Sequence, residues 1–137
     1  MIACIRIPYF AATLERASGV PLLLIRYDKR GGKVIALSQA AEGVGVSLGM
    51  SVTRARALCP LGTFITCEAN RYAGALDRLL AVLWTYTNRV EIDEAAFPQA
   101  LIAYLDLGRL NDDGANDLLT GVIERLRADL SLTASVG

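Results

Sequence analysis

Short, almost wholly apolar runs recur along the chain at residues 2–7 (IACIRI), 21–27 (PLLLIRY), 33–37 (KVIAL) and 100–107 (ALIAYLDL). Runs of that length, rich in Ile, Val and Leu and bounded by Pro, Gly or charge, predict strands. The last is apolar on both faces, which predicts a strand in the middle of a sheet with helices stacked on it. It closes a predicted β-hairpin over residues 90–107, whose polar middle carries Asp93, Glu94 and Pro98. A second hairpin joins 21–27 to 33–37 through Asp28-Lys29-Arg30-Gly31-Gly32, with the paired glycines supplying the positive φ of a tight connection.

Two longer stretches repeat at helical spacing. Across residues 70–87, Tyr72, Leu76, Leu79, Leu83 and Tyr86 recur at alternating steps of four and three. Across 112–130, Ala115, Leu118, Leu119, Val122, Leu126 and Leu130 share a face, and Asp112 and Asp113 open the helix where its dipole favours acids. Trp84, on the first of these, is expected to be half-buried. Pro8 stops the first strand, and residues 9–17 follow as a short helix with Phe10 and Leu14 on one face. Ser38 and Ser51 are placed to cap short helical turns that Gly43 and Cys59-Pro60 end. With short strands at 64–66 and 133–136, the frame is strand, helix, hairpin, helix, strand: an α/β (α+β) βαββαβ layer with a smaller insertion after its first strand.

A chain of 137 residues, 53% of them hydrophobic, has enough apolar surface to close a core. Fourteen basic residues balance fourteen acidic ones, so the overall charge does not advertise a phosphate-backbone binder. Twelve of the bases are Arg, and Lys29, Arg30 and Lys33 read as a solvated turn rather than a nucleic-acid contact. Cys4, Cys59 and Cys67 are odd in number and lack C-x-x-C spacing, and the chain has no His. That leaves no support for a zinc or disulfide framework or for a Ser-His or Cys-His triad, and predicts reduced thiols in a cytoplasmic protein. The apolar runs are strand-sized and interrupted by Arg6, Arg26 and Asp106, so neither a membrane span nor a signal peptide is expected. Gly43-Val44-Gly45-Val46-Ser47-Leu48-Gly49 has the spacing of neither the dinucleotide fingerprint nor the P-loop and reads as turns.

Several segments, in this order, resemble the palm and fingers of a Y-family (UmuC/DinB-type) translesion DNA polymerase. Ile5-Arg6-Ile7-Pro8-Tyr9-Phe10-Ala11 lies in the register of that family's opening D-x-D-x-F strand. Gln39-Ala40-Ala41-Glu42-Gly43-Val44 through Gly49-Met50, then Leu58-Cys59-Pro60, match its Y-E-A-R-x-x-G-V-x-x-G-M and L-C-P. Arg71-Tyr72, Tyr104-Leu105-Asp106-Leu107 and Leu132-Thr133-Ala134-Ser135-Val136-Gly137 match the start of its long helix, its Y-L-D-L strand and its L-T-A-S-V-G. The resemblance implies a ferredoxin-like palm from residues 1–8 and 70–137 and a fingers insertion at 9–69, with thumb and little-finger domains beyond Gly137.

In such polymerases, carboxylates of the first strand and of an S-I-D-E-A-Y-L-D hairpin hold two Mg²⁺ ions that activate the primer hydroxyl and neutralise the triphosphate. Here the first-strand acids fall on Arg6 and Pro8, and counting back from Asp106 puts the hairpin acids on Leu101 and Ile102. The triphosphate contacts fall on Gln39 and Glu42, and the bulky residue that excludes ribonucleotides falls on Ala11. The resemblance therefore implies no intact catalytic or metal-binding residue and no cofactor. The pattern resembles the ImuB-type branch, non-catalytic accessories in DNA-damage-induced translesion synthesis. DNA, the sliding clamp and an error-prone polymerase are the partners implied, through regions downstream. Arg6 is expected to fill space and reach solvent; paired with Glu42 or Asp106 it would plug the vacant site.

A rival register sets Ile92-Asp93-Glu94-Ala95 on the family's I-D-E-A and restores a carboxylate pair, as in an active polymerase with an altered metal site. The first register is preferred, because lengthening a hairpin tip costs little whereas shifting a buried strand disrupts its packing. A third possibility is an unrelated βαββαβ module that binds a small molecule or a protein.

Overall fold

Ile2–Ile7 forms β1, antiparallel to β6 (Leu101–Asp106) on one side and to β7 (Ser135–Val136) on the other, while β5 (Val90–Asp93) pairs with the far edge of β6. The resulting order, β5-β6-β1-β7, is that of a ferredoxin-like βαββαβ sheet. These strands belong to one of two compact units, Met1–Pro8 with Tyr72–Gly137; the other is Tyr9–Arg71. The computed structural model describes residues 1–16, 19–68 and 70–137.

In the first unit, Ala3, Ile5 and Ile7 of β1 and Leu101, Ala103 and Leu105 of β6 are buried, as are Leu79, Val82 and Leu83 of α4 (Ala73–Trp84) and Ala115, Leu119, Val122 and Leu126 of α5 (Asp112–Leu130). Burial of this alternate set alone means that helices cover one face. The other face of β6 carries half-buried Ile102 and Asp106 and exposed Tyr104. This corrects the two-sided cover expected of 100–107: an apolar run reports composition, and only alternation of burial reports which face is covered.

Residues 112–130 form α5, capped by the Asn111 side chain accepting from the Gly114 amide. The first long helix is shorter than residues 70–87. Arg71 closes a turn onto the Glu68 carbonyl, and the Thr85 and Tyr86 amides bond to Val82 and Leu83, which tightens and ends the last turn. Tyr72 and Tyr86 keep the helical spacing because both turn inward from outside the helix. Trp84 is 58% exposed rather than half-buried, since it stands at the helix end beyond the packed face.

In the second unit, β2 (Leu22–Asp28) lies between β3 (Gly31–Leu37), antiparallel to it, and β4 (Thr63–Thr66), parallel to it. Leu22, Leu23, Leu24 and Ile25 are all buried, so this sheet is the one covered on both faces. Leu23, Ile25, Val34 and Leu37 pack with Ala41 of α2 (Gln39–Gly43) and Ala55 of α3 (Val52–Leu58), and α1 (Phe10–Leu14) also meets β3. The predicted end of α1 at Ala17 falls outside the described residues. Ser38 caps α2 and is itself buried; its hydroxyl accepts from the Leu22 and Ala41 amides and donates to the Val20 carbonyl. Ser51 caps α3 through the Arg54 amide.

The hairpin connection differs from the expected five residues. Asp28 pairs with Gly31, leaving Lys29 and Arg30 as a two-residue turn in which the Asp28 carboxylate accepts from the Arg30 amide at 2.7 Å. Gly31 supplies the positive φ, at 110°; Gly32 is needed because a Cβ there would meet Ile25 and Tyr27 at 2.8 Å. The glycine run at 43–50 forms turns whose amides at Val44, Gly45, Val46, Gly49 and Met50 bond to backbone carbonyls, so they are not free to cradle a phosphate.

Candidate functional site on the open sheet face

In an antiparallel ladder, directly paired residues project to the same face. The pairings Asp93 with Ile102, Ile102 with Arg6 and Arg6 with Ser135 therefore set one row across the uncovered face of the first unit. A second row holds Glu91, Tyr104 and Cys4, and a third holds Asp106 and Ile2. The two registers separate here. Leu101–Asp106 is the strand beside β1, with Ile102 opposite Arg6, whereas Asp93 lies two strands away, about 10 Å at the usual strand spacing.

Arg6 is exposed, and Pro8 beyond it is exposed as well. Asp106 sits opposite Ile2, at the other end of β1 from Arg6, so the two do not pair. Its carboxylate accepts from the Gly108 amide at 2.9 Å and meets Arg89 at 3.5 Å. The Gly108 amide chiefly, with the N-terminal ammonium and Arg89, holds the Asp106 pKa below the ordinary aspartate value. Asp93 accepts from the Ala95 amide at 3.0 Å and so starts the single 3-10 turn Glu94–Ala96; Glu94 itself is exposed. Leu101, 1% exposed, points to the covered face opposite Ile7.

Mg²⁺ pairs require hard anionic oxygens converging on ions about 3.5–4 Å apart. The row beside Arg6 presents a carboxylate already capping a turn, a hydrocarbon, a guanidinium and a hydroxyl, and these residues do not fit such a pair. Among the described residues no three His, Cys, Asp or Glu side chains gather as a ligand set.

The positions assigned to triphosphate and sugar lie in the second unit. A cavity of about 530 Å³ is lined there by Tyr9, Thr13, Arg16, Ser38 and Gln39, among others. Ala11, fully buried, is outside that lining. Glu42 is exposed and accepts a hydrogen bond from the Tyr9 hydroxyl at 3.1 Å. Burial first, then that bond and the Glu42 charge, push the Tyr9 phenol above its ordinary pKa, so it remains a donor. Sequence reasoning does not single out Tyr9 or Ser135; Tyr9 holds a left-handed backbone, φ 50°, which only coordinates reveal. Cys4, Cys59 and Cys67 are free thiols, and among the described residues no helix is long and apolar enough to cross a membrane.

Solved polymerase structures share this fold. The chain superposes over its whole length on 41% of the DinB crystal structure from Sulfolobus solfataricus, with TM-score 0.85 and 22% identity. It does so equally on 42% of the chain in an insertion ternary complex of Dbh DNA polymerase, again at 0.85 and 22%. These likenesses define the fold class, the polymerase palm and fingers. The sequence profile of the impB/mucB/samB family matches residues 5–137, and the chain belongs to that family, the Y-family polymerases. DNA polymerase IV of Moorella thermoacetica is 33% identical over 126 residues, 87% of this chain and 30% of that protein. DNA polymerase IV of Methanoculleus marisnigri is 32% identical over 123 residues, 84% of this chain and 32% of that protein. The chain thus spans roughly a third of the length of these relatives. An unrelated βαββαβ module is excluded.

Proposed function

We propose that this chain is the palm-and-fingers part of a Y-family polymerase-like protein that does not transfer nucleotides and acts as an accessory in DNA-damage-induced translesion synthesis. Met1–Pro8 with Tyr72–Gly137 takes the part of the palm and Tyr9–Arg71 that of the fingers. The observation that carries this reading is the row containing Ile102, Arg6 and Ser135, where the family gathers magnesium: a fixed guanidinium repels the ions that phosphoryl transfer requires, and hydrocarbon offers them no ligand. Glu42 adds a like charge where the family meets the triphosphate. The sliding clamp and an error-prone polymerase are the partners of such an accessory.

Isothermal titration of dNTP into this chain should give the same result with Mg²⁺ as with EDTA, and the full-length protein should leave a primer unextended. A second reading is favoured by Asp93, which lies on the open face: an active polymerase using Asp93 and Glu94. Primer extension abolished by D93N/E94Q would establish that reading in place of the first.

A further inference from the structure

The sheet of the first unit ends on β5, which pairs with β6 alone, so its other edge is open. The phase of the ladder decides which backbone groups face out. The Asp106 amide bonds to the Arg89 carbonyl directly across from it, and along an antiparallel ladder bonded pairs alternate with unbonded ones. Arg89, Glu91 and Asp93 therefore turn their backbone groups toward β6, while Val90 and Ile92 turn theirs outward. Among the described residues, none of the loop, cap or side-chain hydrogen bonds uses the Val90 or Ile92 groups. Such a row of unpaired N–H and C=O groups is a template for another strand.

Side-chain alternation selects what that strand must carry. Glu91 and Asp93 stand on the open face, and Val90 and Ile92, half-buried, turn toward the helices. Glu91 is exposed and, among the described residues, makes no hydrogen bond or ion pair; Asp93 accepts from the Ala95 amide. A second copy of β5 would set Glu91 against Glu91 or Asp93, and like charges directly opposite each other are destabilising. A strand with Arg or Lys at alternate positions instead meets both acids, and an apolar residue between its cations lies beside Ile92. Past Val90 the edge leads into a cavity of about 540 Å³, lined by Trp84, Asn88, Arg89, Glu91 and Tyr104 among others. Arg89 is turned to Asp106 at 3.5 Å, whereas Trp84 and Tyr104 are exposed. Aromatic side chains around a cavity that continues a free strand edge supply the anchor that binding surfaces concentrate in Trp and Tyr.

We infer that the outer edge of β5 takes up an extended segment of a partner protein as a fifth strand, with Arg or Lys opposite Glu91 and Asp93 and the end of the segment at Trp84 and Tyr104. The edge lies on the far side of β6 from Arg6, so the inference stands whether or not the open face transfers nucleotides. Trp84 is the single Trp of the chain, which makes its emission a reporter of the cavity. Titration with the peptide Ac-TRVRVT-NH2 should shift that emission. At a peptide concentration about 100 times Kd, hydrogen exchange of the Val90 and Ile92 amides should slow about 100-fold. E91K should weaken that peptide about 2- to 30-fold and strengthen Ac-TEVEVT-NH2, a reversal of preference that unfolding cannot produce. The proposal is overturned if those two amides already exchange slowly in the free chain, or if the peptide changes neither their exchange nor the Trp84 emission. It is equally overturned if the scrambled Ac-TRRVVT-NH2 protects them as well, or if E91K keeps the parent preference.

Discussion

The two units use the same materials, a small sheet and helices packed on it, to opposite ends. In Met1–Pro8 with Tyr72–Gly137 the sheet keeps one face open, and acids outnumber bases by ten to six. In Tyr9–Arg71 the central strand is buried on both sides, and bases outnumber acids by eight to four. The open face is a surface where side chains remain available for chemistry or contact. In the sheet covered on both sides, β2 exposes its side chains from Arg26 onward, where the hairpin runs out beyond the cover. Net charge and hydrophobic content, taken over the whole chain, average this distinction away.

The sharpest way to break the comparison is to restore the carboxylates that the family places on adjacent residues. L101D would bury an unpartnered charge on the covered face and should cost roughly 3–5 kcal/mol, enough to unfold the chain in a urea titration. I102E, one residue on but facing outward, should fold and melt close to the parent protein. Equal losses in the two variants would mean that both faces are covered.

A milder probe removes hydrocarbon instead of adding charge. L24A deletes a fully buried side chain from the strand covered on both sides and should cost about 2–5 kcal/mol. I102A trims a half-exposed side chain on the open face and should cost clearly less by the same urea midpoints. The smallest effect concerns Asp106. Its lowered pKa means that its contribution to stability is complete above the ordinary aspartate value and is lost as pH falls through the depressed one. A carboxyl NMR titration should place its midpoint below that of a solvated aspartate, and R89Q, which removes one of the cations beside it, should raise it slightly.

Local chemistry made much of this legible. α5 begins and ends at the residues its periodicity and acidic first turn mark, because a helix is stabilised by neighbours three and four positions away. Ser38 and Ser51 cap α2 and α3 for the same reason: the groups they satisfy lie within one turn. Errors arise where distant segments decide. The β2–β3 turn is two residues long instead of five, which moves the pairing and sets Arg26 opposite Lys33. No local rule specifies that β4 pairs in parallel with β2.

The candidate site divides in the same way. The expectation that the family's site positions fall on Arg6, Leu101, Ile102, Gln39 and Glu42 comes from motifs, since motif register is a property of the chain alone. That Ile102 faces outward beside Arg6 while Leu101 faces inward is decided by which side of the sheet α4 and α5 cover. By itself the sequence determined the order of elements, the caps of the short helices and the family. The tertiary structure decided which faces are covered, which cations oppose each other and how the charge divides, because burial and cross-strand pairing join residues that are far apart along the chain.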